Sequence, residues 1–424
     1  MKTMYERCKE VMPPAAGRAT KLGVVNSEGS YIYTEDGQKI LDFASGVAVN
    51  NLGHKNEEVV EAIRQQLDTM IHVGHNVVYN ESYVRMAEKL VEVTGGDTMV
   101  YFSNSGAEAN EGAIKLAKYI TKRTAVISFK NSFHGRTIGC VSLTGSNSAY
   151  RKYYEPLLPS VYFADYANCY KCPFGQCEGK CQMECIKQFE GIFAKLVDPE
   201  CVAAIIVEPV QGEGGYVVPP KAFLQGLREI CDKYGIMLIF DEIQTGIGRT
   251  GEIYAYQMLG VKPGILTSAK AVGGGIPLSA VIAKKEIMKN WPAGAHGGTF
   301  GGNPLACAAG LKTLEIIERD NLLDNCKSMG AYFLERLKKM QQSFPSVIGN
   351  VRGLRLMVAM EITDKEGNPD GKMTAYIKEK ALENQVLLLT CGSDHNVVRF
   401  IAPLTVSKEE IDLACDVIEE ILKS

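Results

Sequence analysis

Gly235-Ile-Met-Leu-Ile-Phe-Asp-Glu-Ile-Gln-Thr-Gly246 puts an acid, Asp241, at the end of an apolar, strand-like run. Lys270 follows 29 residues later, in Leu266-Thr-Ser-Ala-Lys-Ala-Val-Gly-Gly-Gly-Ile-Pro277. A carboxylate at the end of a buried strand has lost most of its water and needs a cation or a donor to stay ionised. An amine among Thr, Ser, Ala and Gly can be approached by a flat ligand and reached by a carbonyl. Taken singly, each residue has a plain reading, a helix-capping aspartate and a solvated lysine. The pair gains meaning from what surrounds it.

Outward from this stretch, apolar runs alternate with helical patterns. The runs are Met99-Val-Tyr-Phe, Thr124-Ala-Val-Ile-Ser-Phe, Val202-Ala-Ala-Ile-Ile-Val and Met237-Leu-Ile-Phe, with helices expected over 107–122 and 220–234. Runs that are apolar on both faces imply a mainly parallel sheet covered by helices, an α/β architecture. Nearer the start, residues 31–43 alternate around a turn at Glu35-Asp-Gly, and Val59, Val60, Ile63, Leu67 and Met70 recur at helical spacing. After about residue 310 the texture changes. Helical stretches near 310–343 and 407–423 flank expected strands at 355–362, 386–390 and 397–402. This predicts a large domain over 46–310 and a smaller α+β domain from 1–45 and 311–424.

A chain of 424 residues is long enough for two domains of unequal size. A formal net charge of −3, with 46% hydrophobic and 22% charged residues, points to neither nucleic acid nor membrane as partner. The first residues lack an apolar signal core, and a cytoplasmic setting is expected.

Four more loops lie near strand ends, where α/β proteins bind ligands. Ser103-Asn-Ser-Gly-Ala-Glu-Ala-Asn-Glu-Gly112 reads as a strand end followed by a capping box of Ser105 and Glu108. The first-turn N–H groups of Gly106 and Ala107 then form an anion site suited to phosphate, although ordinary capped helices look the same. In Phe133-His-Gly-Arg-Thr137 the ring can stack on a planar ligand and Arg136 can grip a carboxylate. Glu208-Pro-Val-Gln-Gly-Glu-Gly-Gly215 carries Glu208 and Glu213, and Gln244 lies three residues after Asp241. His296-Gly-Gly-Thr-Phe-Gly-Gly-Asn-Pro304 offers the hydroxyl of Thr299. A phosphate cradle, a stacking ring, an ionised acid and an amine are what pyridoxal phosphate chemistry demands.

These motifs, in this order, resemble the class III (ω-amino acid) aminotransferases of the type I pyridoxal phosphate-dependent fold, above all the 4-aminobutyrate group. The resemblance runs from Asp42-Phe-Ala-Ser-Gly-Val-Ala-Val49 to Val398-Arg-Phe-Ile-Ala-Pro-Leu-Thr405. It implies a large domain with a mainly parallel seven-stranded sheet. It further implies that Lys270 carries the cofactor as a Schiff base and later shuttles the proton, and that Asp241 pairs with the pyridine nitrogen. Gln244 would meet the ring oxygen, Phe133 would stack, and His134 and Glu208 would support the pocket. Ser105, Gly106 and Ala107 would bind phosphate, and Thr299 would reach the phosphate of a neighbouring subunit, so a homodimer or dimer of dimers is expected. Arg399 matches the arginine for the α-carboxylate of glutamate or 2-oxoglutarate, Glu213 its counter-ion, Arg136 the arginine for the distal carboxylate, and Val47 a small residue lining the substrate.

The expected reaction moves an amino group from 4-aminobutyrate to 2-oxoglutarate. 5-Aminovalerate, β-alanine and the side-chain amines of ornithine or lysine are alternative donors. A racemase or epimerase on the same fold is the alternative of another reaction class, since Asn168-Cys-Tyr-Lys-Cys-Pro-Phe-Gly175 is shared with related archaeal-type sequences. A non-enzymatic binding protein is disfavoured by the intact Lys270 and Asp241.

Thirteen cysteines, an odd number, argue against a fully paired disulfide framework. Cys169, Cys172, Cys177, Cys181 and Cys185 fall within 17 residues, a density that zinc or an iron–sulfur cluster would use. Cys177, Cys181 and Cys185 would share one face if that stretch were helical. Free thiols in a reducing compartment are the plainer reading.

Overall fold

The computed structural model describes residues 2–176 and 181–424. Among the described residues, fifteen strands form three sheets. The first sheet holds β1 (Val24–Glu28), β2 (Tyr31–Thr34), β3 (Lys39–Asp42) and, much later in the chain, β13 (Val386–Leu387), in the order β1-β2-β3-β13. The central sheet contains β4 (Thr98–Ser103), β5 (Ala125–Phe129), β6 (Val161–Ala164), β7 (Val202–Val207), β8 (Met237–Asp241), β9 (Ile265–Ser268) and β10 (Ser279–Lys284). Its order is β4-β10-β9-β8-β7-β5-β6. Only β10 runs against its neighbours β4 and β9; the rest are parallel. The third sheet is antiparallel, in the order β11-β12-β15-β14, from β11 (Ile348–Leu354), β12 (Met357–Ile362), β14 (Leu389–Cys391) and β15 (Val397–Phe400).

The mainly parallel, seven-stranded α/β sheet is therefore present as expected. Every residue of β7 is buried, the signature of a strand covered on both faces. The helix Gly106–Thr121 lies on this sheet through Ala109, Gly112, Ala113 and Leu116. Its small residues permit close approach: a Cβ on Gly112 would sit 3.1 Å from Val281 Cγ2. The chain adds β5 and β6 on one side of the sheet, then returns through β7, β8 and β9. The carboxyl ends of β4, β5, β7, β8 and β9 consequently share one edge, with the reversal of direction between β5 and β7.

Several expectations need correction. The run 386–390 is not one strand, because Val386–Leu387 pairs with β3 while Leu389–Cys391 pairs with β15. Helix 310–343 is two helices, Pro304–Arg319 and Leu322–Ser343, separated where Asn321 takes a left-handed conformation (φ 52°). The first of them runs unbroken through residue 310, so a division there would fall inside a helix. The helical face of cysteines is also overturned. The helix starts only at Glu184, after Met183 at φ 60°, so Cys181 lies outside it and Cys185 in its first turn. Cys177 lies outside the described residues. Among the described residues no group of three or more His, Cys, Asp or Glu side chains is gathered to hold a metal, and no helix is long and apolar enough to cross a membrane.

Candidate active site

A cavity of about 660 Å³ opens on the shared strand edge. Its lining includes Val47, Ser105, Gly106, Ala107, Phe133, His134, Arg136, Glu208, Glu213, Asp241, Gln244, Lys270 and Arg399. Residues expected from seven separate segments of the chain thus meet in one place. Thr299 does not join them; it is exposed and outside this cavity.

Asp241 ends β8 and is buried. Its Oδ2 accepts from Asn110 Nδ2 at 2.8 Å and from His134 Nδ1 at 2.7 Å, and its Oδ1 accepts from the backbone N–H of Ile243 at 3.1 Å. A carboxylate only accepts, so the histidine proton sits on Nδ1. Asn110 was not anticipated as a site residue. It lies one turn into the helix that starts at Gly106, donates also to the carbonyl of His134 at 2.8 Å, and accepts from Thr267 Oγ1 at 2.8 Å. A buried asparagine on a helix is a weak signal in sequence, since its partners come from β9 and the loop after β5.

Lys270 opens a short 3-10 turn after β9, in a left-handed conformation at φ 52°. Burial, reinforced by the positive charge of Arg399, lowers its pKa to about 8, although Asp241, Glu208 and Glu213 act in the opposite direction. A lysine so placed holds roughly a tenth of its amine neutral and nucleophilic at pH 7, far more than an ordinary lysine does. Glu208 is buried and accepts from the N–H groups of Phe133 and Gly212, each at 2.9 Å. Burial raises its pKa to about 7. Its carboxylate clamps the Phe133 loop to the Gly212 loop.

The helix end after β4 carries the expected capping box. Ser105 Oγ accepts from Glu108 N at 3.2 Å, and Glu108 Oε2 accepts from Ser105 N at 2.8 Å. Free first-turn N–H groups at such an end suit a phosphate. A Cβ on Gly106 would lie 2.8 Å from Ile243 Cδ1, so this end closes directly on the cavity wall. Three buried polar atoms of the lining residues have no protein partner, Gln244 Oε1, His134 Nε2 and Arg399 Nε. An anion cradle, a buried acid, an aromatic ring, an unpartnered amide and a reactive lysine fit pyridoxal phosphate.

The rim of the cavity is charged. Arg399 on β15 is buried, and its Nη1 lies 3.1 Å from Glu213 Oε2. Tyr150 donates to Glu213 Oε1 at 3.4 Å, and the Arg136 guanidinium lies over the Tyr150 ring, 4.1 Å from its centroid. Val47 enters from a turn in which Ser45, Gly46, Val47 and Ala48 all have positive φ, between 43° and 64°. Three of these are not glycine, so the turn is strained by about 1–2 kcal/mol per residue. Asp42 holds it by accepting from Ala44 N at 2.7 Å and Ser45 N at 3.1 Å, and Ser45 Oγ donates to the carbonyl of Ile401 at 2.6 Å. The fully buried Arg249 adds a second tie, donating to Asn51 Oδ1 at 2.6 Å and to the carbonyl of Ala402. Neither Asp42, Ser45 nor Arg249 was expected here; the partners of Ser45 and Arg249 are remote in sequence, and those of Asp42 are backbone N–H groups of a turn that the sequence did not announce.

Residues 13–422 match the family model "Aminotransferase class-III". A probable 4-aminobutyrate aminotransferase of Bacillus subtilis is 38% identical over 94% of this chain and 92% of its own length. A 5-aminovalerate aminotransferase of Pseudomonas aeruginosa is 36% identical over 99% and 97%. An acetylornithine aminotransferase of Methanocaldococcus jannaschii is 42% identical over 94% and 92%. Among solved structures, a pyridoxal phosphate-bound amine transaminase from an uncultivated Pseudomonas species superposes with a TM-score of 0.90, at 32% identity over 96% of this chain and 97% of that one. Geometry, sequence and fold agree: the chain belongs to the class III aminotransferases, enzymes that work with pyridoxal phosphate.

Proposed function

We propose that this enzyme takes the amino group of an ω-amino acid, 4-aminobutyrate before others, and passes it to 2-oxoglutarate, leaving a semialdehyde and glutamate. The Glu213–Arg399 ion pair carries this reading. A donor without an α-carboxylate would leave a buried arginine uncompensated, and an unpaired buried charge is costly. Glu213 supplies the counter-charge, and withdraws its side chain when a carboxylate of 2-oxoglutarate or glutamate takes its place. Arg136, over the ring of Tyr150, binds the distal carboxylate.

When bound, the cofactor supplies a carbonyl carbon for the amine and a ring that accepts electrons. Lys270 would hold the cofactor and carry the proton on its Nζ, Asp241 with His134 and Asn110 would pair with the ring nitrogen, and the helix end at Ser105–Ala107 would hold the phosphate. Phe133 and Gln244 fix the plane and the ring oxygen.

The curated relatives named for 4-aminobutyrate and 5-aminovalerate support an ω-amino donor. One methylene separates these two compounds, worth about 1–3 kcal/mol in discrimination. A donor panel with 2-oxoglutarate, read as glutamate formed, ranks them together with β-alanine, ornithine, lysine and N-acetylornithine. Arg136→Ala removes a paired, charge-assisted contact, and turnover of 4-aminobutyrate should fall about a hundredfold in kcat/KM. Unchanged turnover in that variant, or inversion of an amino acid without keto acid, would overturn the assignment.

We also propose that the working unit is at least a homodimer, in a cytoplasmic setting. Thr299 is exposed and lies outside its own cavity, and the adjoining surface exposes Phe300, Val77 and Tyr79. The carbonyl of Gly298 accepts from Asn76 Nδ2 at 3.1 Å, which joins the two segments into one apolar face. A sedimentation mass equal to a single 46.3 kDa chain would contradict the dimer.

A further inference from the structure

The loop that bears Glu213 is turned by its own hydrogen bonds, from the N–H groups of Gly215 and Tyr216 to the carbonyl of Gly212, and is tied at its tip to other segments. Gln211 and Val217 bridge its base, and two carbonyls of its tip are taken up by the third sheet. Glu213 O accepts from the backbone N–H of Gly392 at 2.8 Å, and Gly215 O accepts from Arg352 Nε at 2.8 Å. The contact is close: a Cβ on Gly215, itself at φ +116°, would lie 3.0 Å from Arg352 Nη2.

Arg352 and Arg399 occupy one row across the sheet. Arg352 on β11 pairs with Ala359 on β12, and Ala359 pairs with Arg399 on β15. Glu361 lies two residues beyond Ala359 and therefore faces the same way. Its Oε2 lies 2.7 Å from Arg352 Nη1, and its Oε1 lies 2.8 Å from Lys171 Nζ. Arg352 Nη1 also donates to Asn350 Oδ1 at 3.0 Å. Glu361 is 5% exposed, so this is a buried carboxylate between two cations and not a surface pair. None of Lys171, Arg352 and Glu361 lines the cavity.

We propose that Arg352, oriented by Glu361 and Lys171, is a positioning residue. It pins the backbone of the Glu213 loop to the third sheet, so that Glu213 stays the counter-ion of Arg399 while a donor without an α-carboxylate is bound. The consequence is a preference for ω-amino donors over glutamate. With the backbone held at Gly215 and Glu213, only the side chain of Glu213 needs to move when glutamate or 2-oxoglutarate arrives. Without Arg352 the tip of the loop loses its tie at Gly215 and loosens, Arg399 is less well compensated with 4-aminobutyrate, and it becomes freer for a second carboxylate. The inference rests on the Glu213–Arg399 reading given under the proposed function.

The test compares Arg352→Met, Glu361→Gln and Lys171→Met in the holoenzyme, with Glu213→Gln as control. Each half-reaction is followed separately by cofactor absorbance, with 4-aminobutyrate or with glutamate as donor. Calorimetry gives the Kd of glutarate, a dicarboxylate that does not react. Arg352→Met and Glu361→Gln should each lower the ratio of kcat/KM for 4-aminobutyrate to that for glutamate about tenfold, the weight of one hydrogen bond to a charged group. Lys171→Met, at a partly exposed position, should lower it about twofold. Glutarate should bind more tightly to the first two variants.

These two substitutions change the local charge in opposite directions. A through-space field effect would shift their ratios oppositely, whereas positioning shifts both the same way. An unchanged ratio in either folded variant, or shifts of opposite sign, would overturn the proposal. If Glu213→Gln itself leaves the ratio unchanged, it is the underlying reading of Glu213 that fails.

Discussion

The floor and the rim of the cavity are built differently. On the floor, each functional side chain comes directly off a strand of the central sheet: Ser105 after β4, Phe133 and His134 after β5, Glu208 after β7, Asp241 on β8, Lys270 after β9. On the rim, Glu213 is met by Arg399 from β15, the turn bearing Val47 is tied to Ile401, and Arg249 reaches Asn51 and Ala402. The floor is fixed by the sheet that every strand shares. The rim exists only when segments far apart in the chain have docked. A floor of that kind suits chemistry common to all substrates, and a rim of that kind suits the choice among them.

The largest effect should come from the floor. Lys270→Ala should lower both half-reactions by about a thousandfold or more, the combined loss of the reacting amine and of a proton-transfer group. Loss with 4-aminobutyrate alone, while glutamate still reacts, would break the division between floor and rim. A smaller change sharpens it. Asn110→Ala removes the donor to Asp241 Oδ2 and leaves the buried Thr267 hydroxyl and the His134 carbonyl without their asparagine partner. It should destabilise the fold by about 1–3 kcal/mol and slow both donors alike, about tenfold. Thermal melts read the first quantity and paired half-reaction assays the second. A changed donor ratio would mean that the floor also selects substrate.

The same contrast explains what was legible in the sequence. Asp241 and Lys270 stand out because an apolar run ends on an acid and a small-residue turn surrounds an amine. Local chemistry announced both. Arg136 stood out as a carboxylate grip beside Phe133, and Glu213 as an acid on a glycine-rich loop, but the roles of both, and Arg399 altogether, were placed by family likeness. Arg352, Glu361, Arg249 and Asn110 were missed altogether. Arg249 binds Asn51, 198 residues away, and Arg352 binds the carbonyl of Gly215, 137 residues away. No local periodicity encodes such partners. The cysteine stretch shows the opposite error, in which spacing was read without an apolar face. The helix begins where burial begins, with Cys185, Phe189 and Ile192, and the earlier cysteines precede that face. The split of 386–390 between two sheets was equally invisible, since an unbroken apolar run does not record which partner each half meets.

A last expected effect concerns pH and again separates the two regions. In the folded apoenzyme Lys270 titrates at about 8, against 10.5 for an ordinary lysine. Between these values the unfolded chain holds a proton that the folded chain has released, so stability rises with pH through the window. Below about pH 8 both states are protonated at this position, and the folded state bears the full penalty of a buried ammonium. A Lys270→Met apoenzyme lacks that penalty. Its melting temperature should therefore exceed that of the parent most at pH 7, with the difference shrinking steadily as pH approaches 10.5. Arg399, the rim cation that helps to lower the Lys270 value, stays charged over the whole range, so Arg399→Met should raise the Lys270 titration without abolishing it. A melting difference that is flat from pH 7 to 10.5 would show that Lys270 is protonated in the folded state at neutral pH as an ordinary lysine is. The amine would then have no neutral fraction with which to attack a carbonyl, and the floor would need another way to prime it.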